Sequence, residues 1–284
     1  LRSTSGDWLD AFDRAKDAWI EFYWVAVPYD EKAHGESLKR ANDALNQRKN
    51  IRHFPAIDER GWKCTLTGAS SALPIPPADA ASGYGEMRAA WAQFAARYDN
   101  VTIRSNEMLG ALALIKRFAQ KARALELGID LVNFPSTRHI GGKPEEEAAD
   151  GREVDAYYAI LHMDGDQMGD KLSMLERLED HRAISQALAT FAQTRVPDIV
   201  ADYDRGILNP QSRAVLIYAG GDDVLALLPL KSVLDCANAI RTAYTAHMEP
   251  ALRDAQAHIK DAAKRQRFNP VATMSAGIAV VSAN

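Results

Sequence analysis

The stretch Ala214-Val215-Leu216-Ile217-Tyr218-Ala219-Gly220-Gly221-Asp222-Asp223-Val224-Leu225-Ala226-Leu227-Leu228 decides the fold. Two apolar, β-branched and aromatic runs flank a Gly-Gly-Asp-Asp tetrapeptide, a combination that favours two strands joined by a tight hairpin. Working outward, Ala156 to Met163 reads as an earlier strand and Ala272 to Val281 as a later one. Between the first strand and the hairpin, Ile184, Leu188, Phe191, Val196 and Ile199 follow helical spacing; between the hairpin and the last strand, Val233, Ala237, Ile240, Tyr244 and Met248 do the same. The order is β-α-β-β-α-β, the ferredoxin-like split unit, so the fold class is α+β. In that topology the third strand inserts antiparallel between the first and second, and the end of the first lies beside the start of the third.

That adjacency has chemical content. Asp164 and Asp166 close the first strand in Met163-Asp164-Gly165-Asp166-Gln167-Met168-Gly169, and Asp222 and Asp223 open the third. Carboxylates gathered from distant segments repel unless a cation neutralises them, and Mg²⁺ or Mn²⁺ suits an all-oxygen donor set. Gly220 and Gly221 are expected to supply positive φ in the hairpin and to remove side chains where a triphosphate approaches; Gly165 and Gly169 open the other wall. Gly-Gly-Asp-Asp alone is also a common turn, and Asp164-Gly165-Asp166 alone a common turn or helix cap. Both together, each directly after an apolar strand in this order, favour a metal-nucleotide site in which charge neutralisation and positioning dominate.

The rest of the chain sets bounds. It has 284 residues, 47% of them hydrophobic and 25% charged, with a net charge of −4, so any anion site is local. Its two cysteines, Cys64 and Cys236, exclude a disulfide scaffold and fit a reducing cytoplasm. Apolar runs such as Phe22 to Val27 fall far short of a bilayer span of roughly 20 residues, so no membrane association is expected. The start at Leu1 and end at Asn284 suggest a trimmed fragment. The N-terminal half reads as mostly helical. Met87, Trp91, Phe94 and Tyr98, then Met108, Leu112, Ile115 and Ala119, fall at helical spacing, while Phe22 to Val27 reads as a buried strand closed by Pro28. Asn133 to Asp150, rich in Gly, Pro and Glu, reads as an exposed linker.

The hairpin and the segment Leu161 to Gly169 together resemble the catalytic palm of the large subunit of type III CRISPR effector complexes, the Cmr-type (III-B) branch in particular. Ala44 to Phe54, Lys63 to Gly68, Leu112 to Phe118, Phe134 to Thr137 and the terminal Met274-Ser275-Ala276-Gly277-Ile278 occur in the order that family shows. The resemblance implies a remnant of a first palm over 1–28, a mostly helical domain over 29–132 containing a degenerate zinc module, a linker over 133–152 and the catalytic palm over 153–284. It also implies a nucleotidyltransferase that joins ATP into cyclic oligoadenylate through 3′–5′ linkages when its guide RNA holds a target RNA, with the other subunits of the complex as partners. By the same resemblance Asp164, Asp222 and Asp223 bind the catalytic metals, Asp166 is a weaker ligand candidate, and Gly220 and Gly221 lie under the nucleotide phosphates.

Departures from the family pattern are visible too. No adjacent His-Asp pair marks a nuclease domain, and Thr67 stands where a zinc module places the cysteine partner of Cys64. His53 nearby reads as a surface or packed residue. Lys260, Lys264, Arg265 and Arg267 form a basic cluster that is either a solvated helix end or a contact to ATP phosphates or RNA backbone. Ser275 either touches nucleotide or packs in its strand. Two alternatives to the enzyme stand beside it: a structural scaffold subunit of the ribonucleoprotein, and a stand-alone GGDEF-like cyclic dinucleotide synthase.

Overall fold

A computed structural model describes residues 5–17, 20–51, 61–97, 103–127, 135–142, 156–204 and 214–283. The chain divides into two compact units, Leu1–Val25 with Leu45–Val132, and Ala26–Ala44 with Asn133–Asn284. Among the described residues no helix is long and apolar enough to cross a membrane.

The first unit contains helices α1 (Ser5–Asp17), α3 (Tyr84–Ala96) and α4 (Ala111–Leu127); α2 (His34–Asn50) runs across the division. Its core gathers Leu73, Ile75, Met87, Trp91, Met108, Leu109 and Leu114. Trp91 is fully buried and its indole N–H donates to the Leu73 carbonyl, which satisfies the one polar atom of that ring. Met87 and Trp91 lie on α3 as the spacing predicts, whereas Tyr98 lies outside the described residues. Met108 precedes α4 instead of belonging to it, and the buried face of α4 carries Ala111 and Leu114, with Leu112 and Ile115 half-buried. Cys64 sits in a small hairpin closed by the Lys63–Ser71 bridge, buried and unpaired. His53 lies outside the described residues.

The segment Phe22 to Val27 is not a buried strand. It carries no ladder hydrogen bonds, and Phe22 and Trp24 are 75% and 69% exposed. Aromatic and β-branched content sets a propensity that only a neighbouring strand converts into a sheet. The period of two survives as alternation alone, with Tyr23, Val25 and Val27 half-buried between exposed neighbours.

The second unit holds the sheet, built from β1 (Tyr157–Gly165), β2 (Val215–Gly220), β3 (Asp223–Pro229) and β4 (Met274–Ser282). The strands lie in the order β2-β3-β1-β4, every pair antiparallel, so the third strand does sit between the first and second. Connecting β1 to β2 are α6 (Met168–Ser173), α7 (Leu178–Thr190), a π-helical turn (Phe191–Arg195) and α8 (Val196–Asp204). Connecting β3 to β4 are α9 (Val233–His258) and α10 (Ala262–Arg267). One sheet face, carrying Ala159, Leu161, Met163, Val224, Ala226 and Leu228, packs on α7, α8 and α9 through Ile184, Phe191, Val196, Ile240, Tyr244 and Met248, all fully or nearly fully buried. Among the described residues, the cover on the opposite face lies at the start of β1 and the neighbouring end of β3. There Ile140 of the short helix α5 (Thr137–Ile140) packs with Ala156, Tyr158 and Ala283.

Helix α5 corrects the reading of 133–150 as exposed throughout. Ser136 caps it by accepting from the His139 backbone N–H, and Ile140 is buried; residues 133–134 and 143–150 lie outside the described set.

Candidate functional site

The end of β1 and the β2–β3 turn meet at one edge of the sheet. Met163 pairs with Val224 and Gly220 with Asp223, so Asp164 and Asp223 are the next residues along their strands beyond the last β1–β3 pair. Alternation along each strand points Met163 and Val224 into the helix-covered core, and places Asp164, exposed, and Asp223, half-buried, on the uncovered face. Like charges directly across an antiparallel pair destabilise a sheet. A divalent cation would relieve that repulsion.

Asp222 occupies the turn and takes the other side. A methyl group built on Gly165 would fall on Tyr244 Oη, and within 2.6 Å of Asp222 Cβ and 2.8 Å of its Oδ2. The missing side chain of Gly165 is thus the space into which Asp222 folds. Burial, together with the negative charges of Asp164 and Asp223, holds the Asp222 carboxyl above its ordinary range, against a lowering contribution from its own backbone N–H. Gly221 has φ +66° at the first central position of the two-residue loop, as a type II′ hairpin requires. Gly220 differs from expectation: its φ is not positive, and a Cβ there would collide with the Tyr218 ring. Its smallness makes room for an aromatic neighbour within the hairpin.

Asp166 is already engaged. Its Oδ1 accepts from Ser275 Oγ and its Oδ2 from Thr273 Oγ1, each at 2.6 Å, and its backbone N–H donates to the Thr273 carbonyl. The Ser275 and Thr273 hydroxyls hold its carboxyl below the usual carboxylate range. Asp166 therefore clamps the β1 exit to β4, and Ser275 is its donor, a task neither sequence reading foresaw. Gln167, with φ 60°, then turns the chain into α6. Lys171, 4% exposed, donates through Nζ to the carbonyls of Asp166 (3.2 Å) and Val271 (2.8 Å), fastening the same turn from below. Gly169 has open space around its Cβ position.

The basic cluster is placed elsewhere by its contacts. Lys264 pairs with Glu176 at 3.4 Å, and Arg265 lies beside it on α10; Lys260 precedes that helix. No described contact brings these cations to the aspartates. Thr273, Lys171 and Tyr244 belong to the site's surroundings and were not singled out from sequence. Only Tyr244 left a signal, as the hydroxyl-bearing position in an otherwise apolar helical stripe.

Among the described residues no group of three or more His, Cys, Asp or Glu side chains is arranged to hold an ion. The donor set nevertheless fits Mg²⁺ or Mn²⁺. Mg²⁺ in nucleotide enzymes commonly takes one or two carboxylates and completes its shell with water and substrate phosphates. Asp164 and Asp223 would supply that pair, and the buried hydroxyl of Tyr244, without a hydrogen-bond partner, lies near Gly165 and Asp222.

Comparison with known proteins agrees with this geometry. Residues 157–284 match the family described as Cas10/Cmr2, second palm domain. A 110-residue stretch is 38% identical to the CRISPR system Cmr subunit Cmr2 of Pyrococcus furiosus, covering 30% of this chain and 12% of that protein. Solved structures give partial likenesses. For Csm1 of T. onnurineus the TM-score is 0.33 at 16% identity, over 45% of this chain and 17% of that one. For the Csm1-Csm4 cassette in complex with pppApA it is 0.34 at 16% identity, with the same coverage. The antiparallel βαββαβ sheet lies within the matched residues, and this part of the chain is similar to a Cas10/Cmr2 second palm domain.

Proposed function

We propose that this palm is a metal-dependent nucleotidyltransferase site that converts ATP to cyclic oligoadenylate through 3′–5′ linkages, within a cytoplasmic type III CRISPR complex that binds guide and target RNA. The observation that carries the reading is the convergence of the β1 end on the β2–β3 turn, where Met163 pairs with Val224, Gly220 with Asp223, and the Asp222 carboxyl feels the charges of both Asp164 and Asp223, within residues matched to the Cas10/Cmr2 second palm. When bound, Mg²⁺ or Mn²⁺ would supply activation of a ribose hydroxyl and neutralisation of the leaving pyrophosphate. Asp164 and Asp223 would hold the ion, and Asp222 would stand by as a further oxygen donor. Gly221, with no side chain and nothing within 4 Å of its Cβ position, would let a phosphate approach the turn closely. The Asp166 clamp with Thr273 and Ser275 would keep the β1 exit fixed while substrate binds.

The test uses the chain assembled with its complex, given ATP, Mn²⁺ and target RNA, with pyrophosphate release and cyclic products as readouts. Asp222→Ala combined with Asp223→Ala is expected to abolish both; unchanged output would remove the assignment. A scaffold role is the second reading, favoured by the absence of a preassembled three-carboxylate group among the described residues. Calorimetry separates the two, because a scaffold shows no Mn²⁺-dependent ATP binding.

A further inference from the structure

Tyr244 lies on α9, 1% exposed, and its hydroxyl has no hydrogen-bond partner. A buried hydroxyl left unpaired costs stability that a phenylalanine would avoid, so its presence calls for a use. The ring is held from one side by Phe191, edge-on at a centroid separation of 5.1 Å, and Phe191 opens the π-helical turn. A π turn inserts one residue into a helix and re-aims its side chains, and such turns concentrate at functional sites. From the other side, Tyr244 Oη reaches the space that Gly165 leaves empty, the same space that receives Asp222 Cβ and Oδ2. The next residue, Thr245, fixes the helix locally by donating to the Ala272 carbonyl at 2.7 Å, just before β4. Ring, helix and strand are all anchored, and the unpartnered Tyr244 hydroxyl points at the floor of the acidic edge.

We infer that Tyr244 is a positioning residue: its hydroxyl donates to the Asp222 carboxylate when a divalent ion draws that side chain into place, and so fixes the orientation of Asp222 toward the ion. The inference rests on the metal-site reading above and goes beyond it, since Tyr244 touches neither ion nor nucleotide. It explains why a polar atom is kept in a stripe made otherwise of Val233, Ala237, Ile240 and Met248. It also explains why position 165 has no side chain, because any Cβ there would separate the hydroxyl from Asp222.

The experiment is a double-mutant cycle in Mn²⁺ affinity on the full chain, with Tyr244→Phe, Asp222→Ala and both together, read by isothermal titration. A calorimetric melt in EDTA is run in parallel. Tyr244→Phe is expected to weaken Mn²⁺ binding about tenfold while the melting temperature stays level or rises, because the orphan oxygen has gone. In the Asp222→Ala background the same change is expected to have no effect on Mn²⁺. Equal Mn²⁺ affinity for the parent and Tyr244→Phe, or an undiminished effect without Asp222, overturns the inference. A parent chain that does not bind Mn²⁺ overturns the metal-site reading instead. Should Tyr244→Phe not fold, 3-fluorotyrosine placed at 244 alone provides the readout. Its ¹⁹F resonance is expected to shift on adding Mg²⁺ in the parent and to stay fixed in Asp222→Ala, and a resonance indifferent to Mg²⁺ in both refutes the role.

Discussion

Gly165→Ala isolates the packing that joins the acidic edge to the helical layer. Gly165 does not have positive φ, so alanine brings no backbone strain; its whole cost is steric. The new methyl would land on Tyr244 Oη and 2.6 Å from Asp222 Cβ, closer than carbon atoms tolerate. Tyr244 is buried between Phe191 and the sheet and has little freedom to yield, so Asp222 must leave its place in the turn. Overpacking of this kind costs about 1–3 kcal/mol. A domain of this size loses roughly 2–4 °C of melting temperature per kcal/mol, which gives a fall of about 4–8 °C for a mid-range cost. The assay must see the palm itself. Every tryptophan lies between Trp8 and Trp91, so tryptophan emission is blind to it, and scanning calorimetry or amide exchange along β1 is required. Adding Tyr244→Phe removes the nearest oxygen and should restore part of the loss. Gly169→Ala, with nothing within 4 Å of its Cβ position, serves as the silent control. A Gly165→Ala chain that melts within about 1 °C of the parent, or one that Tyr244→Phe does not relieve, refutes this picture of the packing.

Other outcomes follow from the same contacts. Gly221→Ala should cost about 1–2 kcal/mol in urea unfolding, because φ +66° is strained for a residue with a Cβ, and Gly221→Asn should recover much of it. Asp166 contributes stability above its unfolded pKa of about 3.9, and that contribution is lost as pH falls through its depressed folded value. Thr273→Val with Ser275→Ala should therefore be destabilising at pH 6 in EDTA and progressively less so as pH falls below the ordinary carboxylate range, as read from urea midpoints. Lys171→Met preserves volume but strands the Asp166 and Val271 carbonyls, and should cost about 1–3 kcal/mol while speeding amide exchange at Asp166.

The palm was legible because its strands are short apolar runs ended by Gly and Asp, and because the split topology leaves few alternatives. The sheet order, the hairpin and the approach of the β1 end to the β2–β3 turn all followed from that pattern. How the carboxylates divide between the two sheet faces did not. Asp222 sits in a two-residue loop, where the direction of a side chain depends on the φ of Gly221 and on a vacancy at Gly165 in another strand. Asp166 read as a ligand candidate because its capture depends on Thr273 and Ser275, more than a hundred residues away. The aromatic run at 22–27 misled because propensity measures fit to a sheet that must already be there. The short helix at Thr137–Ile140 hid inside a stretch whose Gly, Pro and Glu content suggested only a connector, although Ser136 marked its start.

The π-helical turn at Phe191–Arg195 carries one residue more than a regular α turn would, and it absorbs that residue locally. Deleting one position there would let α7 and α8 join as one regular rod while both keep the faces they now turn to the sheet. The change would fall on the wider turn alone, whose first residue, Phe191, is the one that presses on Tyr244. An added residue is thus tolerated at the one place in this helical layer where it aims a ring at the acidic edge.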